Sequence, residues 1–253
     1  MALYREIDGP AGAPRIALVH GFSQNRRCWG PFAADLARDH QVVRIDAPGH
    51  GRSVDDDDAD LWRGAELIAD AGGDAIYFGY SMGARLCLHL ALAHPERCRG
   101  LVLLGANPGL VDAEARTERE LADAALATHL EAVGLAEFLE AWLRGPLFAS
   151  LPRANAHFEE RLENRAEGLA ASLRSAGLGE QAPLWGRLGA IRAPSLCLAG
   201  ALDDRFTAIA RRMSAELGGP STFESVPGAG HCAHLEDPAA VLRILRTWLE
   251  GQR

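Results

Sequence analysis

The residues best suited to chemistry lie in the pentapeptide Gly79-Tyr80-Ser81-Met82-Gly83. A short apolar, β-prone run precedes it, and a run of helix-forming composition follows it and ends at Pro95. Gly-x-Ser-x-Gly therefore falls where a strand turns sharply into a helix, and the glycines allow a turn tight enough to expose Ser81 at its apex. The alternative is a serine that only caps a helix. We predict that Ser81 is a nucleophile or a base.

A serine hydroxyl needs a histidine to take its proton, and that histidine needs a carboxylate to hold its tautomer. After a turn of this kind the acid and then the histidine follow along the chain, each in a loop after a strand. The first carboxylates after the strand-like run 194–200 are Asp203 and Asp204. We predict Asp203 as the acid, with Asp204 as the alternative and helix capping as another explanation of Asp203. His231, in the glycine-rich loop after the last strand-like run, is the predicted base.

Other groups are expected to shape the site around these three residues. The backbone amides of Met82 and Phe22 are the predicted oxyanion hole, since the residue after the serine and an early loop supply such donors. His20, in a His-Gly pair at a strand end, is expected to shape that loop, and His50 to brace the turn that contains it. His234 either lines the pocket or packs in the interior.

The elements that must position these residues alternate along the chain. Besides the run before Ser81, buried strands are predicted at 15–19, 41–45, 100–105, 194–200 and 222–226, and helices near 28–38, 61–71, 208–217 and 238–250. This rhythm indicates an α/β fold with a mostly parallel, doubly wound sheet. Between 112 and 189 apolar residues recur only at helical spacing. We therefore predict an all-helical cap at 112–189, inserted into a core domain formed by 1–111 and 190–253.

Composition excludes several other functions. A net charge of −8 disfavours nucleic acid or an anionic membrane as a partner. Five scattered cysteines form no disulfide framework or metal-ligand pattern, which is typical of a reduced cytoplasmic protein. No signal peptide, membrane-spanning run, phosphate loop or dinucleotide fingerprint is visible, so we expect no metal and no organic cofactor. The acidic run Asp55–Asp58 is predicted to be a solvated loop.

From end to end these motifs resemble the α/β-hydrolase superfamily. Its features appear as the His-Gly-Phe loop at His20, the Asp-x-Pro-Gly-His-Gly-x-Ser segment from Asp46, the turn at Ser81 and the Gly-x-Gly-His ending at His231. A narrower resemblance is to the family of 2-succinyl-6-hydroxy-2,4-cyclohexadiene-1-carboxylate (SHCHC) synthases, known as MenH. The segments similar to that family are 79–85, 106–110, 138–142 with 146–148, 172–185 and 203–213. Several of them lie in the cap, where unrelated α/β-hydrolases rarely agree.

The second resemblance implies a lyase of menaquinone biosynthesis that eliminates pyruvate from a succinyl-enolpyruvyl-hydroxycyclohexene carboxylate. Ser81 would then act as a base and not as an acyl-forming nucleophile. The partner would be a small polycarboxylate, bound by a monomer or small homo-oligomer. Its three carboxylates require local cations. The substrate-binding residues implied are Tyr80, Arg85, Arg119, Trp142 and Arg174, for which surface ion pairs or simple core packing are the alternatives.

Two other functions remain compatible with the sequence. A hydrolase that acts on esters or carbon–carbon bonds through an acyl-serine would need the same three residues. A non-catalytic ligand-binding member of the fold is the second alternative, and the intact set Ser81, Asp203 and His231 argues against it. The arginines and the cap segments favour the lyase.

Overall fold

A computed structural model of the chain describes residues 2–53 and 59–252. The acidic run Asp55–Asp58 lies outside the described residues. The strands are β1 Arg5–Asp8, β2 Arg15–Val19, β3 Gln41–Ile45, β4 Ala75–Tyr80, β5 Cys98–Leu104, β6 Ser195–Gly200 and β7 Ser221–Val226. They form one sheet in the order β1-β3-β2-β4-β5-β6-β7, in which only the pair β1–β3 is antiparallel. The predicted α/β fold with a mostly parallel sheet is confirmed.

The helices follow the predicted order, with one difference near the N-terminus and one additional short helix at 233–236. They are α1 Gly30–Leu36, α2 Leu61–Gly72, α3 Met82–Ala93, α4 Ala113–Val133, α5 Leu135–Trp142, α6 Phe158–Arg161, α7 Ala166–Ala176, α8 Asp204–Glu216, α9 Ala233–Glu236 and α10 Pro238–Glu250. The single helix predicted at 28–38 is instead a 3₁₀ turn, Arg26–Trp29, followed by the short α1. The break falls at Gly30, the first residue of α1, because its φ of 34° lies outside the helical range.

Strand β1 is not predicted from the sequence. Three of its four residues are charged, and the strand alternates between exposed and half-buried positions. It lies at the edge of the sheet and pairs with β3 alone. Because an edge strand with a charged face lacks the apolar run that marks a buried strand, its sequence resembles a loop.

Helices cover both faces of the sheet, as its residue pattern requires. Successive residues of a strand point to opposite faces, so Ile16 and Leu18 of β2 pack on one side while Ala17 and Val19 pack on the other. Helices α2, α3 and α8 contribute apolar side chains to the second side, and α1 and α10 to the first. Both strand faces are therefore apolar, which explains the continuous hydrophobic runs in the sequence.

Between β5 and β6 every regular element is helical, and all of residues 105–194 are described. Helices α4, α5 and α7 share a small apolar core that includes Leu130, Phe138, Leu169 and Leu173. We call this helical segment the cap; its limits at residues 112 and 189 remain a prediction. Within the described residues, no helix is both long enough and apolar enough to cross a membrane.

Candidate active site

The turn between β4 and α3 places Ser81 at a site of backbone strain. Ser81 has a φ of 51°, a value uncommon for a residue other than glycine. The flanking glycines have ordinary negative φ, and their role is close approach. A Cβ on Gly79 would lie 2.5 Å from the Ala84 Cα, and one on Gly83 would lie 2.1 Å from the Val19 carbonyl oxygen. The absence of these two side chains lets α3 pack directly against β4, which precedes Ser81, and against the end of β2.

Ser81, His231 and Asp203 form a connected hydrogen-bonded chain. The Ser81 Oγ lies 3.1 Å from His231 Nε2, and His231 Nδ1 lies 3.0 Å from an Asp203 oxygen. Since an ionised carboxylate only accepts, Nδ1 carries the proton and Nε2 is left to accept the Ser81 hydroxyl. This is the arrangement that serine nucleophiles and serine bases require.

Asp203 performs both of the roles that its sequence position allows. One oxygen faces His231, and the other accepts the backbone N–H of Phe206, which caps α8. Burial tends to raise the pKa of Asp203, but the hydrogen bonds from His231 and Phe206 outweigh it and hold the pKa below its ordinary value. Asp204, the alternative acid, is the first residue of α8 and lines the adjacent cavity.

A carboxylate not considered in the sequence analysis holds the His231 loop. Glu236 of α9 accepts the N–H of Gly230 at 2.7 Å and the N–H of Cys232 at 2.9 Å, one on each side of His231. The ring itself packs on Phe206, with the ring centroids 4.4 Å apart. The sequence signal is a carboxylate five residues after the histidine, which is uninformative without the fold.

The two amides predicted to bind an oxyanion lie beside Ser81. Met82 N–H belongs to the first residue of α3, where helix amides have no partner within the helix. The Gly21 carbonyl accepts from His20 Nδ1 at 2.9 Å and from the Gln24 N–H at 3.1 Å. Because a trans peptide points its N–H away from its C=O, the Phe22 N–H is directed away from those donors. In residues 2–53 and 59–252 we find no hydrogen-bond acceptor for either amide.

Three further histidines are buried and neutral. His20 accepts the Ala47 N–H, and His50 donates to the Pro48 carbonyl, so each ring braces a loop beside the site. Burial lowers the pKa of His20 to about 4 and that of His50 to about 3. His234 packs on Trp29 and Tyr80 and is absent from the cavity wall, which supports the packing alternative.

A cavity of about 790 Å³ lies between Ser81 and the cap. Its wall includes Ser81, Asp203 and His231. It also includes apolar side chains of the cap and of the core, among them Phe22, Leu126, Trp142, Leu173 and Phe206. Trp142, a predicted binding residue, stacks on Phe138 and meets the edge of Phe22. Among the described residues, no group of three or more His, Cys, Asp or Glu side chains could hold a metal ion.

Two of the predicted arginines face this cavity. Arg85 donates to the Ala176 carbonyl at 2.9 Å and, more weakly, to the Gln181 side chain. No ion pair to Arg85 is found in the part of the chain that the structure describes. Burial, together with the nearby charge of Arg119, lowers the pKa of Arg85 to about 10. Arg119 pairs with Asp123 at 2.8 Å. Beside these three residues, the charged groups of the cavity wall are Asp203, Asp204 and Arg205.

The structure does not bring Tyr80 or Arg174 into the cavity wall. Tyr80 is 3% exposed, and its hydroxyl lies 2.9 Å from the Cys232 sulfur. Arg174 forms a bidentate pair with Glu131 of α4, with both distances 2.7 Å. Leu173 and Ala176 of the same helix face the cavity, so residue 174 is rotated away from it. For Arg174 the geometry agrees with the alternative explanation, a surface ion pair.

Comparisons with known proteins agree with the fold and with the cap. The sequence profile of the "Alpha/beta hydrolase family" matches residues 16–244. The chain is 34% identical to the SHCHC synthase of Enterobacter sp. (strain 638), covering 94% of this chain and 92% of that protein. It is also 34% identical to the SHCHC synthase of Klebsiella pneumoniae, covering 97% and 98%.

Solved structures show the same relationship. The structure of MenH from S. aureus superposes with a TM-score of 0.91, at 29% identity, over 98% of each chain. A thermophilic esterase from Thermogutta terrifontis superposes with a TM-score of 0.82 at 24% identity, a level that shows the shared fold alone. The cap as well as the core is therefore covered by the match to MenH.

Proposed function

The chain belongs to the alpha/beta hydrolase family, and we propose that it catalyses the SHCHC synthase reaction. The enzyme is a lyase of menaquinone biosynthesis, and it eliminates pyruvate from 2-succinyl-5-enolpyruvyl-6-hydroxy-3-cyclohexene-1-carboxylate. The observation that carries the proposal is the pair Arg85 and Arg119 in the same cavity as Ser81 and His231. Its support is the 34% identity to SHCHC synthases over nearly the whole chain.

The reaction begins with the proton on the ring carbon that carries the succinyl group, directly α to the ketone and next to the ring double bond. His231 Nε2, 3.1 Å from the Ser81 Oγ, takes the hydroxyl proton as that oxygen removes the ring proton. The electron pair moves to the ketone oxygen, where the Phe22 and Met82 amides stabilise the enolate. Each such donor contributes on the order of 3 kcal/mol.

Collapse of the enolate completes the elimination. The electron pair returns to the ring and forms a new double bond, the existing ring double bond shifts by one position, and the carbon–oxygen bond to the enolpyruvyl group breaks. Pyruvate leaves as its enolate, which takes up a proton. Ser81 now carries the proton taken from the ring, and the proton held by His231 neutralises the leaving group, which returns both residues to their starting state. Asp203, kept ionised by its hydrogen bonds, stabilises the intervening imidazolium.

The arginines explain how an acidic protein binds a tricarboxylate. Arg85 is cationic at neutral pH and has its charge enclosed by protein, where a charge-assisted bond to a carboxylate is stronger than in water. Arg119 adds a second cation next to it. Binding energy from these remote carboxylates can hold the ring against Ser81.

The proposal extends to the setting of the enzyme. The partner is a small polycarboxylate and not nucleic acid or membrane, which accords with the net charge of −8. We place the protein in the cytoplasm, as a monomer or small homo-oligomer. The five buried, free cysteines support a reducing compartment.

The first test measures pyruvate release from the enolpyruvyl substrate by wild-type and Ser81→Ala protein, beside a panel of p-nitrophenyl esters. We expect fast pyruvate release by the wild type, loss of about 10⁴-fold or more in the variant, and poor ester turnover. Rapid ester hydrolysis without pyruvate release would instead identify a hydrolase that uses an acyl-serine. Binding without turnover of either kind would identify a ligand-binding protein.

A second arm of the test compares two arginines that differ in position. Arg85→Gln removes a cation from the cavity wall, and Arg174→Gln removes one that pairs with Glu131 outside it. Loss of a charge-assisted hydrogen bond predicts a fall in kcat/KM of about 10- to 100-fold for Arg85→Gln. For Arg174→Gln we expect less than about 2-fold. An equal fall in kcat/KM for the two variants would contradict the proposal that Arg85 binds the substrate in the cavity.

A further inference from the structure

Ser23, the neighbour of Phe22, has a backbone that its surroundings must hold in place. Its φ is 65°, a left-handed value that costs energy for a residue with a side chain. Ser23 is fully buried. Its N–H donates to His50 Nε2, and its Oγ accepts from the guanidinium of Arg161 at 2.6 Å. Its carbonyl accepts from the side-chain amide of Asn164 at 3.0 Å. Two of these three partners belong to the cap.

Asn164 connects the cap to two loops of the core at once. Its Nδ2 donates to the carbonyl of Ser23 and, at 3.4 Å, to that of Gln24. Its Oδ1 accepts the Gly51 N–H at 2.7 Å. A backbone N–H can bond only to the oxygen of the amide, so the nitrogen must face Ser23. Asn164 is buried, and this amide has a bond on each of its polar atoms.

The Ser23 backbone controls the direction of the Phe22 amide. The Gly21 carbonyl belongs to the same peptide as the Phe22 N–H, and it accepts from His20 Nδ1 and from the N–H of Gln24, the residue that follows Ser23. A Cβ on Gly21 would lie 3.4 Å from the Ser81 Cβ, so this peptide borders the reacting oxygen. If Ser23 relaxed to a right-handed conformation, the chain after it would change direction and carry the Gln24 N–H away from the Gly21 carbonyl. The Gly21–Phe22 peptide would then lose one of the two donors that set the direction of the Phe22 N–H.

We propose that Asn164 is a positioning residue of the oxyanion hole. Its amide holds Ser23 in the left-handed conformation and thereby aims the Phe22 N–H at the oxygen that becomes charged. This inference rests on the proposed function, because that function assigns the Phe22 amide its role. It means that this part of the cap helps to build the catalytic machinery, in addition to covering the cavity.

The test uses an isosteric change. Asn164→Asp keeps an oxygen for the Gly51 N–H and replaces the Ser23 donor by an oxygen that repels the Ser23 carbonyl. Asn164→Ala removes both bonds. Asn155→Asp is the matched control, because the Asn155 amide also links this region to the core, donating to the Leu235 carbonyl at 2.9 Å. Asn155 has no bond to the Phe22 loop.

Two rates are measured for each variant: kcat and KM for pyruvate release, and the rate at which a p-nitrophenyl phosphonate labels Ser81. Labelling also develops negative charge in the oxyanion hole, whatever the natural substrate is. We expect both Asn164 variants to lose about 10-fold or more in kcat and in labelling rate, with KM changed by less than about 3-fold. The pH midpoint of kcat should stay the same, since Asn164 does not contact the His231–Asp203 pair. Asn155→Asp should remain within about 2-fold of wild type.

Several outcomes would overturn the inference. These are a folded Asn164→Asp protein with nearly wild-type rates, an equal loss in Asn155→Asp, or a change confined to KM. An Asn164→Asp protein that circular dichroism shows to be unfolded at 15 °C would give the residue a purely structural role and would also overturn it. If the wild type releases no pyruvate, the proposed function fails, and the labelling rates still decide the role of Asn164.

Discussion

At the scale of single residues, Asp203 shows how one side chain meets two requirements. Its two oxygens separate the tasks, one bonding to His231 and the other capping α8 through the Phe206 N–H. Helix capping and catalysis are therefore compatible explanations of its position. The hydrogen bond from the Phe206 N–H fixes the Asp203 carboxylate at the N-terminus of α8. It therefore also fixes the direction from which Asp203 holds His231.

Asp203→Asn should separate the two tasks. Asparagine caps a helix about as well as aspartate, so the free energy of unfolding should change by less than about 1 kcal/mol. If the amide donates to His231 Nδ1, the proton moves to Nε2, which then cannot accept from Ser81. A loss of about 10⁴-fold in kcat is expected, measured by pyruvate release. Asp204→Asn is the control and should retain activity; the opposite pattern would transfer the role of acid to Asp204.

At the scale of elements, the junction of β4 and α3 depends on backbone contacts between a helix and neighbouring strands. A Cβ on Gly83 would lie 2.1 Å from the Val19 carbonyl oxygen and 2.6 Å from that of His20. Both obstacles are backbone atoms of β2 and the loop that follows it, which cannot move aside as a flexible side chain can. The site therefore depends on direct contact between α3 and the end of β2.

Gly83→Ala tests this contact. Inside an exposed helix a change from glycine to alanine stabilises by about 1 kcal/mol. Here we expect the opposite, a loss of about 2 kcal/mol or more in the free energy of unfolding, measured with urea. Gly186→Ala is the control, since a Cβ there has no neighbour within 4 Å. A Gly83→Ala protein as stable as wild type would mean that α3 can shift without cost.

At the scale of the whole molecule, four buried histidines make the fold sensitive to acid. Burial lowers the pKa of His20 and His89 to about 4, that of His50 to about 3, and that of His234 well below its ordinary value. An unfolded chain protonates these side chains near pH 6.5, whereas the folded protein does not. Between pH 6.5 and about 4 the unfolded state binds more protons, so stability falls as the pH decreases through this window.

His234→Phe should reduce this sensitivity. Each such histidine removes about 2 kcal/mol of unfolding free energy between pH 7 and pH 5. His234 has no hydrogen-bond partner among the described residues, so an apolar ring of similar size can replace it. The loss between pH 7 and pH 5, measured by urea unfolding at each pH, should be smaller by about 2 kcal/mol in the variant. His129→Gln, at an exposed position, is the control and should lose as much unfolding free energy between pH 7 and pH 5 as the wild type. Equal losses in His234→Phe and wild type would show that His234 is protonated in the folded protein.

Local sequence patterns were enough to predict the succession of strands along the chain, the turn at Ser81 and the helical nature of the cap. These are local properties, because a buried strand, a glycine-bounded turn or a helical repeat is expressed by residues a few positions apart. The choice of Ser81, Asp203 and His231 also followed from local context, since each lies just after a strand-like run. Strand β1 escaped prediction because a charged edge strand carries no such local pattern.

The packing of distant elements determines which long side chains reach the cavity and which hold its loops. Arg85 and Arg119 face Ser81, whereas Arg174 turns to Glu131, 43 residues away in the chain. Asn164 meets Ser23 across 141 residues. Such contacts depend on where distant elements pack and not on neighbours in the sequence. The direction of an arginine or an asparagine on a helix or loop is therefore settled by its partner, which the local sequence does not reveal.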